Sequence, residues 1–184
     1  MTRNIPRLEM EDLAPDLAAA LEPRVARLGY LGEFFKCMGH QPAALQDFMA
    51  FTDSAKGDLP ENLVELVALS ISGALDNAYE RHQHERLSIK LGLGEKWVRS
   101  VNQLVPEAQS GLGEDEKAVQ RLALAMVESG GHGVRALIGD VVENIGPEQA
   151  AAVLLLIGRY VTHAFIVNGL ELAPPVPSIF EDSP

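Results

Sequence analysis

Apolar positions along this chain recur at helical spacing, and no stretch alternates apolar and polar residues between turn signals as a strand would. The pattern is clearest from Gln41 onward. Pro42 sits where a first helical residue belongs, and Leu45, Phe48, Met49 and Thr52 follow on one face, with Gly57-Asp58 as the stop. Pro60 and Glu61 open a longer run through Leu63, Leu66, Val67 and Ser70 that continues to Leu91, with a kink expected near Gly73 and Gly92 as the cap. Shorter helices are expected from about Glu95 to Leu104, from Glu114 to Ser129 and from Val134 to Glu143, with a loop from Pro106 to Gly113. Gly146-Pro147 then restarts a long apolar helix that ends near Leu170. Before Gln41 the prolines at 6, 15 and 23 suggest short pieces, one near Leu17–Leu21 and one from Pro23 to about Leu28, followed by a turn between Gly29 and Gly32.

The expected fold is therefore all-α, a bundle of about seven or eight helices. Residues 1–172 read as one domain. Residues 173–184, Ala-Pro-Pro-Val-Pro-Ser-Ile-Phe-Glu-Asp-Ser-Pro, read as a proline-rich arm or tail that cannot be regular. Pro60-Glu-Asn-Leu-Val-Glu-Leu-Val and Pro147-Glu-Gln-Ala-Ala-Ala-Val-Leu echo each other. They are either a repeated helical hairpin or two buried helices with similar starts.

Composition narrows the function. With 184 residues, 47% of them hydrophobic, the chain can bury a core. Fifteen Lys and Arg against 26 Asp and Glu leave a net charge of −11, so nucleic acid and acidic membrane surfaces are poor partners. The single cysteine, Cys37, excludes an intrachain disulfide and any reaction needing two thiols in one chain. The longest apolar run, Ala150 to Ile157, falls short of the roughly 20 residues of a membrane span, and no signal-like stretch opens the chain, so a cytoplasmic location is expected.

The densest chemistry lies in Asp76-Asn-Ala-Tyr-Glu-Arg-His-Gln-His-Glu-Arg. Glu80 and His84 are four apart and share a helix face. They form either a surface ion pair or an acid–base pair in which the carboxylate orients the ring. If the pair lies on a helix face, replacing His84 would change stability by no more than about 1 kcal/mol. Asn77 lies one turn earlier on the same face. His82 and His84 point about 200° apart on a helix and make a poor metal pair. His40 and His132 read as surface residues. His163, on the last apolar helix, is either a buried hydrogen-bonded structural group or a pocket residue. Cys37 reads as core filler beside Phe34 and Met38. No phosphate loop or nucleophile elbow is present.

Three segments in order resemble one family. Glu65 through His84 is similar to the central helix of the carboxymuconolactone decarboxylase and alkylhydroperoxidase superfamily. Phe35-Lys-Cys-Met-Gly-His-Gln-Pro resembles the helix that precedes it, and Gly158-Arg-Tyr-Val-Thr with Asn168 resembles the last one. The peroxidase branch carries Cys-x-x-Cys, a His four residues on and a Glu twelve residues ahead. Those positions here are Asn77, Glu80, His84 and Glu65. With both cysteines replaced, thiol peroxidase chemistry is unavailable. Tyr79-Glu80 followed by His84 is similar to the decarboxylase-like branch, from which Asn77 and Arg81 depart.

The resemblance implies a homo-oligomer, trimer or hexamer, and a lyase that needs no cofactor or metal and acts on a small carboxylated lactone or related acid. It implies His84 as general acid–base, Glu80 as its orienting partner and Glu65 as a second catalytic carboxylate. Asn77, Tyr79, Tyr160 and His163 would bind substrate, the tyrosines by hydrogen bonds to a carboxylate or developing oxyanion. On one straight helix Glu65 would lie about 18 Å from Asn77, so a shared site requires a kink or a neighbouring subunit. An acidic protein must also offset the charge of an acidic substrate locally, with Arg81, Arg86 or an interface arginine. A non-catalytic small-molecule-binding or scaffold protein on the same fold is the alternative.

Overall fold

The computed structural model describes residues 4–57, 59–108 and 111–181. Asp58, part of the expected end of a helix, residues 109–110 of the expected loop, and residues 182–184 of the tail lie outside them. Among the described residues all regular structure is helical. The helices are α1 (Pro15–Leu28), α2 (Glu33–Met38), α3 (Pro42–Lys56), α4 (Glu61–Ala74), α5 (Ala78–Lys90), α6 (Glu95–Asn102), α7 (Glu114–Ser129) and α8 (Arg135–Gly169). Short 3-10 turns lie at Met10–Asp12 and Pro106–Ala108.

Helix α4 is the axis. Every residue from Leu63 to Ser72 is buried, so it is enclosed on all sides by α5, α6, α7 and α8. That explains an apolar sequence with only Glu65 and two serines interrupting it. The larger apolar cluster surrounds α4 and takes in Val98, Leu122, Val153, Leu156 and Ile157. A smaller cluster gathers Leu17, Leu21, Phe34, Cys37 and Leu45 from α1–α3 with Tyr79 and Val167. The face of α8 that packs on α3, α4 and α7 accounts for its hydropathy, since 56% of its most apolar window is buried within the protein. Gly146, at φ 82° and ψ 164°, interrupts α8 at the expected restart before Pro147.

Two expectations are corrected. The amino-terminal pieces form one helix, α1, which runs through Pro23. The run from Pro60 to Leu91 is two helices, broken at residues 75–77. Asp76 there adopts the left-handed conformation, φ 50°. The Asn77 N–H donates to the Ser72 carbonyl (2.7 Å) and the Asp76 N–H to the Gly73 carbonyl (3.2 Å), the paired closure of a left-handed helix end. Asn77 then starts α5, its side-chain oxygen accepting from the Glu80 N–H at 3.2 Å. From α8, Asn168 donates to the free Leu75 carbonyl at 2.8 Å.

The carboxy-terminal arm, through residue 181, is irregular but held. The buried Glu85 carboxylate accepts from the Ser178 hydroxyl (2.6 Å), the Ile179 N–H (3.2 Å) and Asn102 (2.8 Å). His82 contacts the Val176 carbonyl and Arg86 donates to that of Pro177. Ile179 and Phe180 pack against the larger cluster.

The cap at Asn77 gives a direct test. Asn77→Ala should lower unfolding stability in urea by about 1 kcal/mol through loss of the α5 cap.

Candidate active site

The break between α4 and α5 folds Glu65 back onto His84. One His84 nitrogen, Nδ1, lies 2.7 Å from Glu65 Oε2 and the other, Nε2, 3.1 Å from Glu80 Oε2. The Tyr160 hydroxyl, from α8, is 3.3 Å from the same Nε2. Glu65, Glu80 and His84 are 2%, 8% and 8% exposed, so this is a buried carboxylate–imidazole–carboxylate chain rather than a surface pair. Burial opposes the His84 charge, but Glu65 and Glu80 overcome it and raise its pKa to about 9. Both ring nitrogens therefore carry protons at neutral pH, the Nδ1 proton directed at Glu65 and the Nε2 proton shared between Glu80 and the Tyr160 oxygen. Burial also opposes ionisation of Glu80, yet His163, His84 and Arg159 hold it well below the ordinary carboxylate range.

His163 completes the cluster. Its Nε2 lies 3.2 Å from Glu80 Oε1 and its ring packs on Phe34, centroids 4.3 Å apart. Burial dominates here and lowers its pKa to about 4. With His163 neutral, the cations beside Glu80 at neutral pH are His84 and Arg159. Arg159 stands 3.5 Å from Glu80, with its guanidinium 4.4 Å from the Tyr160 ring centre.

These groups line one wall of a cavity of about 490 Å³. Tyr79, Glu80, His84, Tyr160 and His163 all reach it. Two of the sequence-derived residues do not. Glu65 stands behind His84, and Asn77 is 1% exposed and caps α5. Asn77 is thus a structural residue of the break instead of a substrate ligand. Tyr79 lends its ring to the wall, but its hydroxyl accepts from the Phe34 N–H at 3.3 Å and so fixes the start of α2. Burial raises the Tyr79 and Tyr160 pKa values, which keeps both hydroxyls protonated. His82 and His84 point apart as expected, His82 toward Val176 in the arm. Cys37 is buried in the smaller cluster, away from the cavity lining.

Sequence reasoning named only one of the cavity's cations, Arg86. Arg24, Arg27, Lys56, Arg86, Lys90 and Arg159, six of the chain's 15 Lys and Arg, line the cavity. Of the arginines expected to offset an acidic substrate, Arg86 lines it, whereas Arg81 leans toward Glu85, 3.9 Å away. Arg24 and Lys56 come from α1 and α3, and Arg159 precedes Tyr160 on α8. No spacing rule joins positions so distant in sequence.

The titrating groups set the pH dependence of stability. The folded pKa of His84, about 9, lies above its ordinary 6.5. Its contribution is complete below pH 6.5 and is lost as pH rises through 9. The folded pKa of His163, about 4, lies below 6.5. Its contribution is complete above pH 6.5 and is lost as pH falls through 4. Glu80, held low, adds to the acid-side loss. Denaturant unfolding across pH should show greatest stability near pH 6.5. His84→Gln should flatten the alkaline limb and, by leaving the buried Glu65 without its ion-pair partner, cost about 3–5 kcal/mol at neutral pH. That corrects the small effect expected of a helix-face pair.

No model of a known family matches the sequence, and no curated protein does. Solved structures match the fold. The debrominase Bmp8 superposes with a TM-score of 0.81 at 16% identity, covering 95% of this chain and 94% of its own. A cysteine-to-alanine variant of the same debrominase, in complex with 2,3,4-tribromopyrrole, gives 0.80 at 17%, covering 94% and 92%. An uncharacterised peroxidase-related protein from Ralstonia eutropha, with an alkylhydroperoxidase AhpD core, gives 0.80 at 16%, covering 94% of each chain. A protein of unknown function from Agrobacterium tumefaciens, linked to AhpD antioxidant defence, gives 0.66 at 20%, covering 76% of this chain and 96% of its own. At such identities the likeness is one of architecture: the chain has the all-helical fold of the alkylhydroperoxidase AhpD core.

Proposed function

We propose that the protein is an acid–base lyase acting on a small carboxylated lactone or related acid. The observation that supports it best is the protonated His84, clamped between Glu65 and Glu80 and hydrogen-bonded to Tyr160 at the wall of a cation-lined cavity. A histidine held as imidazolium at neutral pH is a proton donor, not a base. Tyr160, with its oxygen accepting from His84 Nε2, has its own O–H proton free for a substrate.

In this scheme the substrate's C–C bond to its carboxylate breaks and carbon dioxide leaves. The electron pair stays on the carbon skeleton as a dienolate. Arg159 and Lys56 lower the energy of the oxyanion that develops. Tyr160 delivers its proton to carbon and takes the Nε2 proton of His84. His84 is left neutral and regains a proton from solvent, so one carboxylate and one proton become one C–H bond and one carbon dioxide. Glu65 fixes the ring through Nδ1 and restores its charge. The scheme needs no cofactor. The single cysteine takes no part, so the two-thiol chemistry of peroxidases has no counterpart.

Carbon dioxide release from a panel of carboxylated lactones tests this reading. Turnover is expected in the wild-type protein and unchanged in Cys37→Ser. It should fall by about 10²–10⁴ in Tyr160→Phe, which removes only a hydroxyl, and in His84→Gln. Turnover that survives in both site variants would overturn the mechanism. Ligand binding with no turnover on any panel member would leave a non-catalytic binding protein instead.

A further inference from the structure

Helix α5 is held by polar bonds more than by apolar packing. Its buried residues are Tyr79, Glu80, His82, His84, Glu85 and Ser88. A buried polar network whose members are satisfied rigidifies its surroundings and specifies one arrangement. Here the polar groups lie on two faces. Glu80 and His84 face the cavity. At 3.6 residues per turn, His82, Glu85 and Arg86 centre about 170° away from them around the helix. All three of these are bonded to the carboxy-terminal arm.

Glu85 is the centre of that second face, and the acid–base scheme gives it no part. It is 1% exposed. A carboxylate so buried is costly unless donors compensate it. The donors come from two directions: the Ser178 hydroxyl and the Ile179 N–H from the arm, and Asn102 from α6. The arm is also tied at its start. Glu171, in the left-handed conformation at φ 53°, donates its N–H to the Asn168 carbonyl, and Leu172 donates to that of Val167, both at 3.1 Å. Asn168 is the residue whose side chain reaches the α4–α5 break. Leu172 is buried in the smaller cluster, while Arg99 stacks over Phe180 at 4.5 Å. Between these ends Pro174, Pro175 and Pro177 stiffen the chain, and Val176 reaches the cavity lining. The arm therefore closes a ring that runs from the break along α5, across to residue 178, and back through the end of α8 to the break.

We propose that Glu85 is a positioning residue: it latches the arm across the back of α5, and that hold keeps His84 turned onto Glu65 and Tyr160. The proposal concerns the geometry of the clamp and does not depend on the lyase reading. The bonds at stake are those that α5 makes to other helices, from His84 to Glu65 on α4 and to Tyr160 on α8, and from Glu80 to His163. A side-chain tip lies about 6 Å from the helix axis, so turning α5 by about 10° moves it about 1 Å. That is enough to take the 2.7 Å contact between His84 and Glu65 out of hydrogen-bond range. The arm opposes such a turn from the far side of the helix.

The test is an NMR titration of the His84 ring in the full-length protein, with hydrogen exchange of the Ile179 amide, which is bonded to Glu85, as the measure of the latch. Ser178→Ala removes one hydroxyl and leaves untouched the charged and titratable groups that face His84: Glu65 from α4, Glu80 from α5, and Arg159, Tyr160 and His163 from α8. A change at His84 in this variant therefore reports geometry. Exchange at Ile179 should quicken by about tenfold or more, and the His84 pKa should fall from about 9 by about one unit or more. Ser178→Thr, which keeps the hydroxyl, should restore both. Glu85→Ala should produce the larger fall, and should it fail to fold, Ser178→Ala decides. Unchanged exchange in Ser178→Ala, or a loosened arm over a His84 that still titrates near 9, would overturn the proposal. So would a wild-type His84 at its ordinary 6.5, which would leave no clamp to hold. Neither result bears on carbon dioxide release, which the lactone panel decides separately.

Discussion

The site depends on one backbone event, the left-handed turn at Asp76 that splits a continuous helical run in two. On a straight helix Glu65 and His84 would be separated by about 28 Å at 1.5 Å per residue. The turn instead lays α5 back along α4 and brings the two side chains to 2.7 Å. A non-glycine residue in that conformation is disfavoured by roughly 1–2 kcal/mol, and the surroundings hold it. Ser72 and Gly73 accept the two closing hydrogen bonds, Asn77 caps the new helix and Asn168 satisfies the Leu75 carbonyl. Each of these contacts is local, yet together they join the core helix to the one that carries Glu80 and His84.

Burial then changes the chemistry of ordinary side chains. At the surface, a Glu and a His four apart on a helix interact by a few tenths of a kcal/mol. Enclosed between two carboxylates, the same imidazole remains charged well above neutral pH. His163, equally buried but set beside Arg159 and His84, moves in the opposite direction. Two histidines within one cavity wall thus occupy different protonation states at the same pH. That division separates a proton donor from a neutral neighbour.

Much of the fold was legible because it rests on local rules. Pro42, Glu114 and the Gly146-Pro147 pair mark helix starts or a break by backbone chemistry that does not need tertiary context. Pro23 misled because a proline within a helix is tolerated where the surrounding turns are held by packing, here by Leu17 and Leu21 in the smaller cluster. The break at 75–77 was displaced toward Gly73 because aspartate, unlike glycine, does not advertise a left-handed residue. Gly73 serves another purpose: a side chain there would press on Leu104. Among the site residues, Glu80 and His84 were legible from spacing, and Glu65 only through resemblance. Arg24, Lys56 and Arg159 converge from three helices, so their meeting is a property of packing.

The most direct test of this account is the titration of His84 itself, followed through its ring nitrogens by NMR. The account requires a pKa near 9, both nitrogens protonated at neutral pH, and a marked fall in Glu65→Gln. A His84 that titrates at or below 6.5, or one indifferent to the loss of the Glu65 charge, would contradict it.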